Sequence, residues 1–285
     1  MTVESHRLMA MEAIHETATW KNCWSRWQPE VLRRTSNLSD AQKLYDLGTQ
    51  LREIFEITST GTRSQSDVSS AGAAWECLVC WYLNLIFSGT RAVAMRRNKR
   101  LVPSILLDAT AVSYGTTQTN TESDLCVVVY PPGFAFPTGK RRYKENLDNA
   151  ARTAVGSIEL GVIQCKTSWA DNAQIPMLWD MVYRGGFKPS SLVHIGRHGV
   201  SIKHLKNFTY SFATVPTQRK TFKPTMMAVK RVSSLSGGNF WGMPTSAGVA
   251  LSLSEIFIRN FSVAFDKPVP ASVADAITHK VGLFC

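Results

Sequence analysis

The sequence SDLCVVVY at residues 123–130 and the sequence GVIQCK at residues 161–166 decide how this chain is interpreted. Each is a short apolar run with polar residues at one end, which predicts a buried β-strand. If the two strands pair, the carboxylate of Asp124 lies beside Gln164 and Lys166 at one edge of a sheet. The two stretches therefore predict that an acid, an amide and an amine come together.

This combination is typical of phosphodiester hydrolysis. In a strand, residues two apart share a face, so Gln164 and Lys166 point the same way and Cys165 points into the opposite layer. Asp124 would bind Mg²⁺, and Lys166 would orient or help to deprotonate the attacking water. Gln164 can bind a metal only through its neutral carbonyl oxygen, so the site has one negative charge fewer than it would have with Glu. A further acid is needed.

Glu76 is the favoured source of this acid. It is the only charged residue in the apolar stretch 71–87, and an isolated acid in a buried helix is costly unless it meets a metal or a cation. The stretch is shorter than the roughly twenty residues of a membrane span and has an acid near its start, so we expect a buried core helix. Glu159 is the alternative, although in an unbroken strand it faces away from Gln164.

A known family shares this arrangement. An Asp124 that heads an apolar strand, Gln-Cys-Lys at residues 164–166 on the next strand, and Trp-Glu at residues 75–76 on a preceding helix resemble the PD-(D/E)xK nucleases. The replacement of the second acid by Gln is similar to that of some methylation-dependent restriction families. The resemblance covers residues 70–200 and leaves the flanks undefined.

The chain departs from the family pattern at two points. Ser123 stands where the motif name has Pro, and the separation between Asp124 and Gln164 is long. The second departure requires residues 131–158 to form an insertion or a hairpin. If these residues added another strand to the sheet, the predicted pairing would be wrong.

The resemblance implies a restriction-endonuclease-like α/β fold, with a central mixed β-sheet flanked by helices and an N-terminal helical region. It further implies a type II, site-specific, Mg²⁺-dependent endonuclease that cuts double-stranded DNA as a homodimer. The implied catalytic residues are Asp124, Gln164, Lys166 and Glu76, and the implied metal ligands are Asp124, Gln164 and Glu76. The alternatives are a repair or junction nuclease of the same fold, or a non-catalytic protein that binds or packages nucleic acid.

The chain divides near residue 60. Residues 1–60 are predicted to be helical, with Ser39-Asp40 as an N-cap, and the Ser-, Thr- and Gly-rich stretch 61–70 is a loop. We therefore expect an N-terminal helical region at 1–60, packed on or extending the core, and a catalytic and DNA-binding domain at 61–285. Further predicted elements are strands at 101–107 and 191–195, a helix at 172–183, and a helix at 256–265 that is opened by a capping box at 252–255.

Charge favours a polyanionic partner. The chain has 32 Lys and Arg against 21 Asp and Glu, a net charge of +11, and residues 181–254 contain no acid at all. The alternative is that these cations pair with the eight acids of residues 1–60. The residues predicted to contact DNA are Arg197, His198, Lys203, Arg219, Lys220, Lys223, Lys230 and Arg231.

Other patterns bound the location and the cofactors. The six cysteines lie mostly in apolar runs and no secretory signal is visible, so we expect a reducing cytoplasm. The chain has no phosphate-binding glycine-rich loop, which predicts no nucleotide cofactor, and we expect no membrane partner.

Overall fold

A mixed α/β architecture forms around one central sheet. The computed structural model describes residues 2–59, 65–96, 99–114, 117–119, 124–139, 141–167, 193–215, 223–227, 229–230, 240–242, 253–261 and 269–278. The helices are α1 Val3–His15, α2 Ala18–Arg34, α3 Ala41–Asp46, α4 Leu51–Glu56, α5 Gln65–Ile86, α6 Ser104–Ala109, α7 Tyr143–Ala154, α8 Ile256–Phe261 and α9 Val269–Thr278. The strands are β1 Ala92–Arg96, β2 Val112–Tyr114, β3 Thr117–Thr119, β4 Leu125–Val129, β5 Glu159–Lys166, β6 Val193–Ile195, β7 Asn207–Thr214 and β8 Phe240–Gly242. Short 3₁₀ turns occupy Leu47–Thr49, Ile57–Ser59, Val155–Ser157, Ile202–His204 and Leu253–Glu255.

The central sheet has five strands in the order β1-β4-β5-β7-β8. Strands β1, β4 and β5 pair antiparallel, whereas β5, β7 and β8 pair parallel. A second sheet of three strands has the order β3-β2-β6. The prediction of a central mixed sheet flanked by helices is confirmed.

Both faces of the central sheet are covered, which explains why β4 is apolar at every position. Leu125 and Val127 alternate with Cys126 and Val128, and the two pairs enter different core layers. The layer of Leu125 contains apolar residues from α2, α3, α4 and α5. The opposite layer is built mainly by α6, α7 and the segments that flank them.

The N-terminal region is helical from Val3 to Ser59, as predicted. Asp40 caps α3, because its side chain accepts a hydrogen bond from the Lys43 backbone N–H at 3.0 Å. Helices α3 and α4 are separated by the 3₁₀ turn Leu47–Thr49.

Helix α1 is fixed to the rest of the core by two buried polar residues. The His6 ring nitrogens lie 3.1 Å and 2.8 Å from the hydroxyls of Tyr130 and Tyr143. The buried Arg7 guanidinium donates to the carbonyls of Phe87 and Thr90. Burial, together with the neighbouring Arg7 charge, lowers the pKa of His6 to about 3, so this imidazole is neutral in the folded protein.

Helix α5 is a buried core helix, as predicted. Its Asn84 side chain donates to the Ala94 carbonyl and accepts from the Ala94 N–H, which satisfies backbone groups of the edge strand β1. Its Trp75 indole N–H donates to the Ala213 carbonyl on β7 at 3.0 Å. Within the described part of the chain, none of the helices combines the length and the apolar composition that crossing a bilayer requires.

The strand predicted at residues 101–107 is wrong, because helix α6 begins within it at Ser104. Pro103 precedes the helix, where its ring fixes the φ angle. Proline also has no backbone N–H, so no donor is left unpaired at this position. The Ser104 N–H, which no earlier turn of the helix can satisfy, donates to Asp148 Oδ1 of α7 at 2.7 Å. This cap comes from a residue far along the chain, so local apolar content could not reveal it.

The connection between β4 and β5 leaves their pairing intact. Within its described residues, 131–139 and 141–158, no strand forms, and helix α7 occupies the second half. The described residues between β4 and β5 therefore form an insertion that adds no strand to the sheet, as the predicted pairing requires. The predicted helix at 172–183 and the first residues of the strand predicted at 191–195 lie outside the described residues, while β6 covers the end of that strand.

Candidate metal and phosphate site

The two stretches that decided the sequence interpretation are direct neighbours in the sheet. Leu125 of β4 pairs with Ile163 of β5, so the next register position places Asp124 opposite Gln164. Asp124 Oδ2 accepts a hydrogen bond from the backbone N–H of Cys165 at 2.7 Å. This bond fixes one carboxylate oxygen at the end of β5 and explains the orientation of the Asp124 side chain.

The side chains of β5 alternate as predicted. Cys165 packs in the core layer that contains α5. Gln164 lies on the opposite face, where its Oε1 accepts a hydrogen bond from the Tyr210 hydroxyl at 2.7 Å. The Gln164 side chain is almost fully enclosed, because the residue is only 3% exposed. Its carbonyl oxygen has a second lone pair, so the Tyr210 bond leaves it able to accept once more.

Lys166 is the last residue of β5 and is half-buried. The parallel register places it beside Thr214 of β7. The Thr214 hydroxyl is buried and has no hydrogen-bond partner among the described residues. An unsatisfied buried hydroxyl is costly, so this position beside Lys166 suits a bound water or a polar ligand.

Glu76 reaches the same region from α5. A cavity of about 490 Å³ is lined by both Glu76 and Asp124. Glu76 Oε2 accepts a hydrogen bond from Arg96 Nη2 at 2.8 Å, and Arg96 Nη1 also lies 3.6 Å from the Cys77 sulfur. The remaining lining residues of the cavity are Ala10, Ala13, Ile14, Thr17, Met95, Arg96, Lys99 and Leu101.

The pKa of the Cys165 thiol is raised by burial and by nearby charges. Burial raises the pKa of the Cys165 thiol well above its usual value, and the charges of Asp124 and Glu76 raise it further. Lys166 opposes this effect. Three of the four predicted site residues, Asp124, Glu76 and Lys166, therefore contribute to the pKa of this thiol. The fourth, Gln164, precedes Cys165 in the chain.

Glu159 is not part of this group. It begins β5, five residues before Gln164, which places it about 16 Å away along the strand. Its carboxylate pairs with the Lys206 ammonium at 3.0 Å. Of the two acids considered from the sequence, the structure places Glu76 and not Glu159 in the cavity with Asp124.

The donor set fits a hard divalent cation in part. Asp124 and Glu76 offer carboxylate oxygens to one cavity, and such oxygens are the preferred ligands of Mg²⁺. Among the described residues, no group of three or more His, Cys, Asp or Glu side chains converges as a metal site would. Among the described residues, Asp124 and Glu76 are the carboxylates that line this cavity, and Gln164 lies opposite Asp124 in the sheet register. Water or substrate oxygens would complete the shell.

Arg96 and Lys99 are cavity residues that the sequence interpretation missed. Both belong to the basic stretch 96–100, which begins with the last residue of the apolar strand β1. Burial by itself would lower the pKa of the Arg96 guanidinium, but the neighbouring Cys77 and Glu76 raise it above its usual value. The cluster of basic residues at the end of a buried strand could have indicated Arg96 and Lys99 as cavity residues from the sequence.

Five of the eight residues predicted to contact DNA lie among the described residues. Arg197 donates through Nε to Asp108 Oδ1, and the His198 imidazole lies 3.2 Å from Asp108 Oδ2. His198 and Gly199 both have positive φ angles and form a tight turn whose tip exposes His198. Lys203, Lys223 and Lys230 are exposed, whereas Arg219, Lys220 and Arg231 lie outside the described residues.

The alternative, that the cations of residues 181–254 pair with acids of residues 1–60, is wrong for Arg197 and Lys206. Arg197 pairs with Asp108 and Lys206 pairs with Glu159, and neither acid belongs to residues 1–60. Acids of residues 1–60 pair with cations of the same region, as Glu30 does with Arg33 and Arg34.

No protein-family model matches the chain, and no curated protein matches it.

Proposed function

We propose that this chain is a Mg²⁺-dependent endonuclease that hydrolyses phosphodiester bonds of double-stranded DNA, of the site-specific type II class and with a restriction-endonuclease-like fold. One observation carries the proposal. Asp124 and Glu76, which are far apart in the sequence, line one cavity, and Gln164 and Lys166 lie on the strand paired to Asp124. The order of acid-bearing helix, Asp strand and Gln-x-Lys strand supports the family resemblance.

Each residue has a defined task in this proposal. Asp124 and Glu76 would hold Mg²⁺, which supplies Lewis acidity toward the phosphate and lowers the pKa of a bound water. The Cys165 N–H fixes one oxygen of Asp124, so the carboxylate is oriented before substrate arrives. The Tyr210 hydroxyl orients the Gln164 amide in the same way.

Lys166 acts on the nucleophile. It follows Cys165, whose backbone N–H binds Asp124, at the end of β5. There it would orient the attacking water and stabilise negative charge that develops on the phosphate oxygens. The unpaired Thr214 hydroxyl beside it offers a hydrogen bond to that water.

Cleavage of supercoiled plasmid tests the proposal. Methylated and unmethylated plasmids are incubated with the protein in Mg²⁺ or EDTA, and the ends of any products are sequenced. We expect Mg²⁺-dependent cuts at a defined site, and loss of cutting in Asp124→Ala and Lys166→Ala. Full activity in both variants, or no cleavage with any divalent cation, would contradict the proposal.

A non-catalytic nucleic-acid-binding function is the second candidate. The exposed cations Lys203, Lys223 and Lys230 in the acid-free stretch favour it, because they supply charge without needing the cavity. It predicts salt-sensitive DNA binding that Asp124 and Lys166 variants leave unchanged. Under the nuclease proposal, cutting both strands at one site suits a homodimer, which sedimentation of the protein with its DNA would detect.

A further inference from the structure

The cavity that holds Asp124 and Glu76 also holds two cations, Arg96 and Lys99. With all four side chains charged, the part of the lining formed by described residues is formally neutral. A cavity built for a divalent cation alone would carry a net negative charge. A neutral lining instead suits a cation that arrives together with an anion, because each then meets side chains of the opposite sign.

The contacts of Arg96 point to the identity of this anion. Its side chain is 33% exposed and that of Glu76 is 21% exposed, so their ion pair borders solvent on the cavity side. The planar guanidinium matches the geometry of a phosphate as well as that of a carboxylate. Lys99, which is exposed at the cavity, adds a point charge that attracts a polyanion.

We propose that this cavity is a phosphate-binding site for the DNA strand, in which the Arg96 guanidinium leaves Glu76 and binds a phosphate when the metal occupies Glu76. Lys99 provides a second contact to the same strand. The proposal rests on the proposed nuclease function and adds two substrate-binding residues to it. Before DNA binds, Arg96 and the metal compete for the Glu76 carboxylate.

Two measurements on the full chain test this exchange. Binding of Mn²⁺ without DNA is followed by electron paramagnetic resonance. Binding of a fluorescent DNA duplex is followed by anisotropy at a fixed Ca²⁺ concentration, so that a divalent cation with the same oxygen preference is present, over a series of KCl concentrations, which gives the salt slope. The variants are Arg96→Gln, Arg96→Lys and Lys99→Gln.

Arg91→Gln is the matched control. Arg91 precedes the opposite end of β1, where its guanidinium donates to the Tyr130 carbonyl at 2.7 Å. It lies about 16 Å from Arg96 along the strand. Thermal melting of every variant establishes that the fold is retained before binding is compared.

We expect Arg96→Gln to tighten Mn²⁺ binding by about fivefold or more, because a competing cation is removed from Glu76. The same variant should reduce the slope of log affinity against log salt by about 0.9, which corresponds to one lost phosphate contact. Arg96→Lys should keep the salt slope, because it keeps the charge. Lys99→Gln should reduce the slope similarly and tighten Mn²⁺ binding less than Arg96→Gln does, because Arg96 is the cation paired with Glu76.

The proposal is overturned if Arg96→Gln behaves like Arg91→Gln in either measurement. Neither measurement requires cleavage. A chain that cuts DNA while Arg96→Gln matches the control therefore contradicts the exchange and leaves the nuclease function standing. A chain that never cuts DNA, yet shows both Arg96→Gln effects, supports the phosphate site and contradicts the nuclease function.

Discussion

Asp124 is expected to serve the candidate site and the sheet at the same time, and two substitutions separate these roles. Its Oδ2 accepts the Cys165 N–H at 2.7 Å, which ties the start of β4 to the end of β5. Asp124→Asn keeps an acceptor for this N–H and loses the charge. Asp124→Ala loses both.

The size of each effect follows from these contacts. A hydrogen bond to a charged group contributes about 1.5–3 kcal/mol, so Asp124→Ala should lower the free energy of unfolding by about 2 kcal/mol. For a chain of this size, that corresponds to a melting temperature lower by roughly 3–4 °C. Asp124→Asn should lower it by less than half as much. If the charge contributes about 4 kcal/mol to stabilisation of the transition state, both variants lose about a thousandfold in cleavage rate.

Scanning calorimetry and a single-turnover plasmid assay in Mg²⁺ measure the two quantities on the same preparations. The reasoning predicts that the variants differ in stability and agree in inactivity. An Asp124→Asn protein that retains more than a tenth of the wild-type rate would show that the charge is not used in catalysis. Equal melting temperatures for Asp124→Ala and wild type would show that the bond to Cys165 does not stabilise the strand pair.

Three further outcomes are expected. Glu76→Gln should abolish cleavage while Glu159→Gln leaves it within about twofold of wild type, because only Glu76 lines the cavity; the opposite result in the plasmid assay would restore Glu159 as the acid. Gln164→Glu adds a carboxylate beside Asp124 and should tighten Mn²⁺ binding by about fivefold or more, as measured by electron paramagnetic resonance; unchanged affinity would show that position 164 does not face the metal. His6 is neutral when folded, with a pKa of about 3, so the unfolded chain binds more protons and the folded state loses stability as pH falls from about 6.5 towards 3. Through His6, lowering the pH from 7 to 5 should lower the free energy of unfolding by about 2 kcal/mol. His6→Gln should remove this part of the pH dependence, which is measured as a flatter profile of melting temperature against pH. Parallel profiles for the variant and the wild type would contradict a neutral, buried His6.

The sequence predicted the site best where the spacing of residues along an element and their polarity indicated the same arrangement. Two-residue alternation predicted that Gln164 and Cys165 occupy opposite faces of β5, and the Tyr210 hydrogen bond and the core position of Cys165 confirm this. The same alternation excluded Glu159 from the face of Gln164. A lone acid in an apolar helix indicated Glu76, because burial of an unpaired charge is costly.

The sequence was least informative where distant residues decide the outcome. Helix α6 depends on Asp148, which accepts the Ser104 N–H, so the apolar content of residues 101–107 suggested a strand instead. The cation paired with Glu76 could not be chosen from the sequence, because Arg96 reaches it only after β1 folds against α5. Tertiary partners of this kind leave no periodic signal.

The enclosure of Cys165 also gives the protein an internal reporter of local opening. Its thiol is buried among groups that keep it protonated, and only a thiolate reacts readily with alkylating reagents. Labelling of Cys165 therefore requires the ends of β4 and β5 to separate. The rate of that labelling, followed by peptide mass analysis, would measure how often the end of the sheet that carries the candidate site opens while the rest of the molecule stays folded.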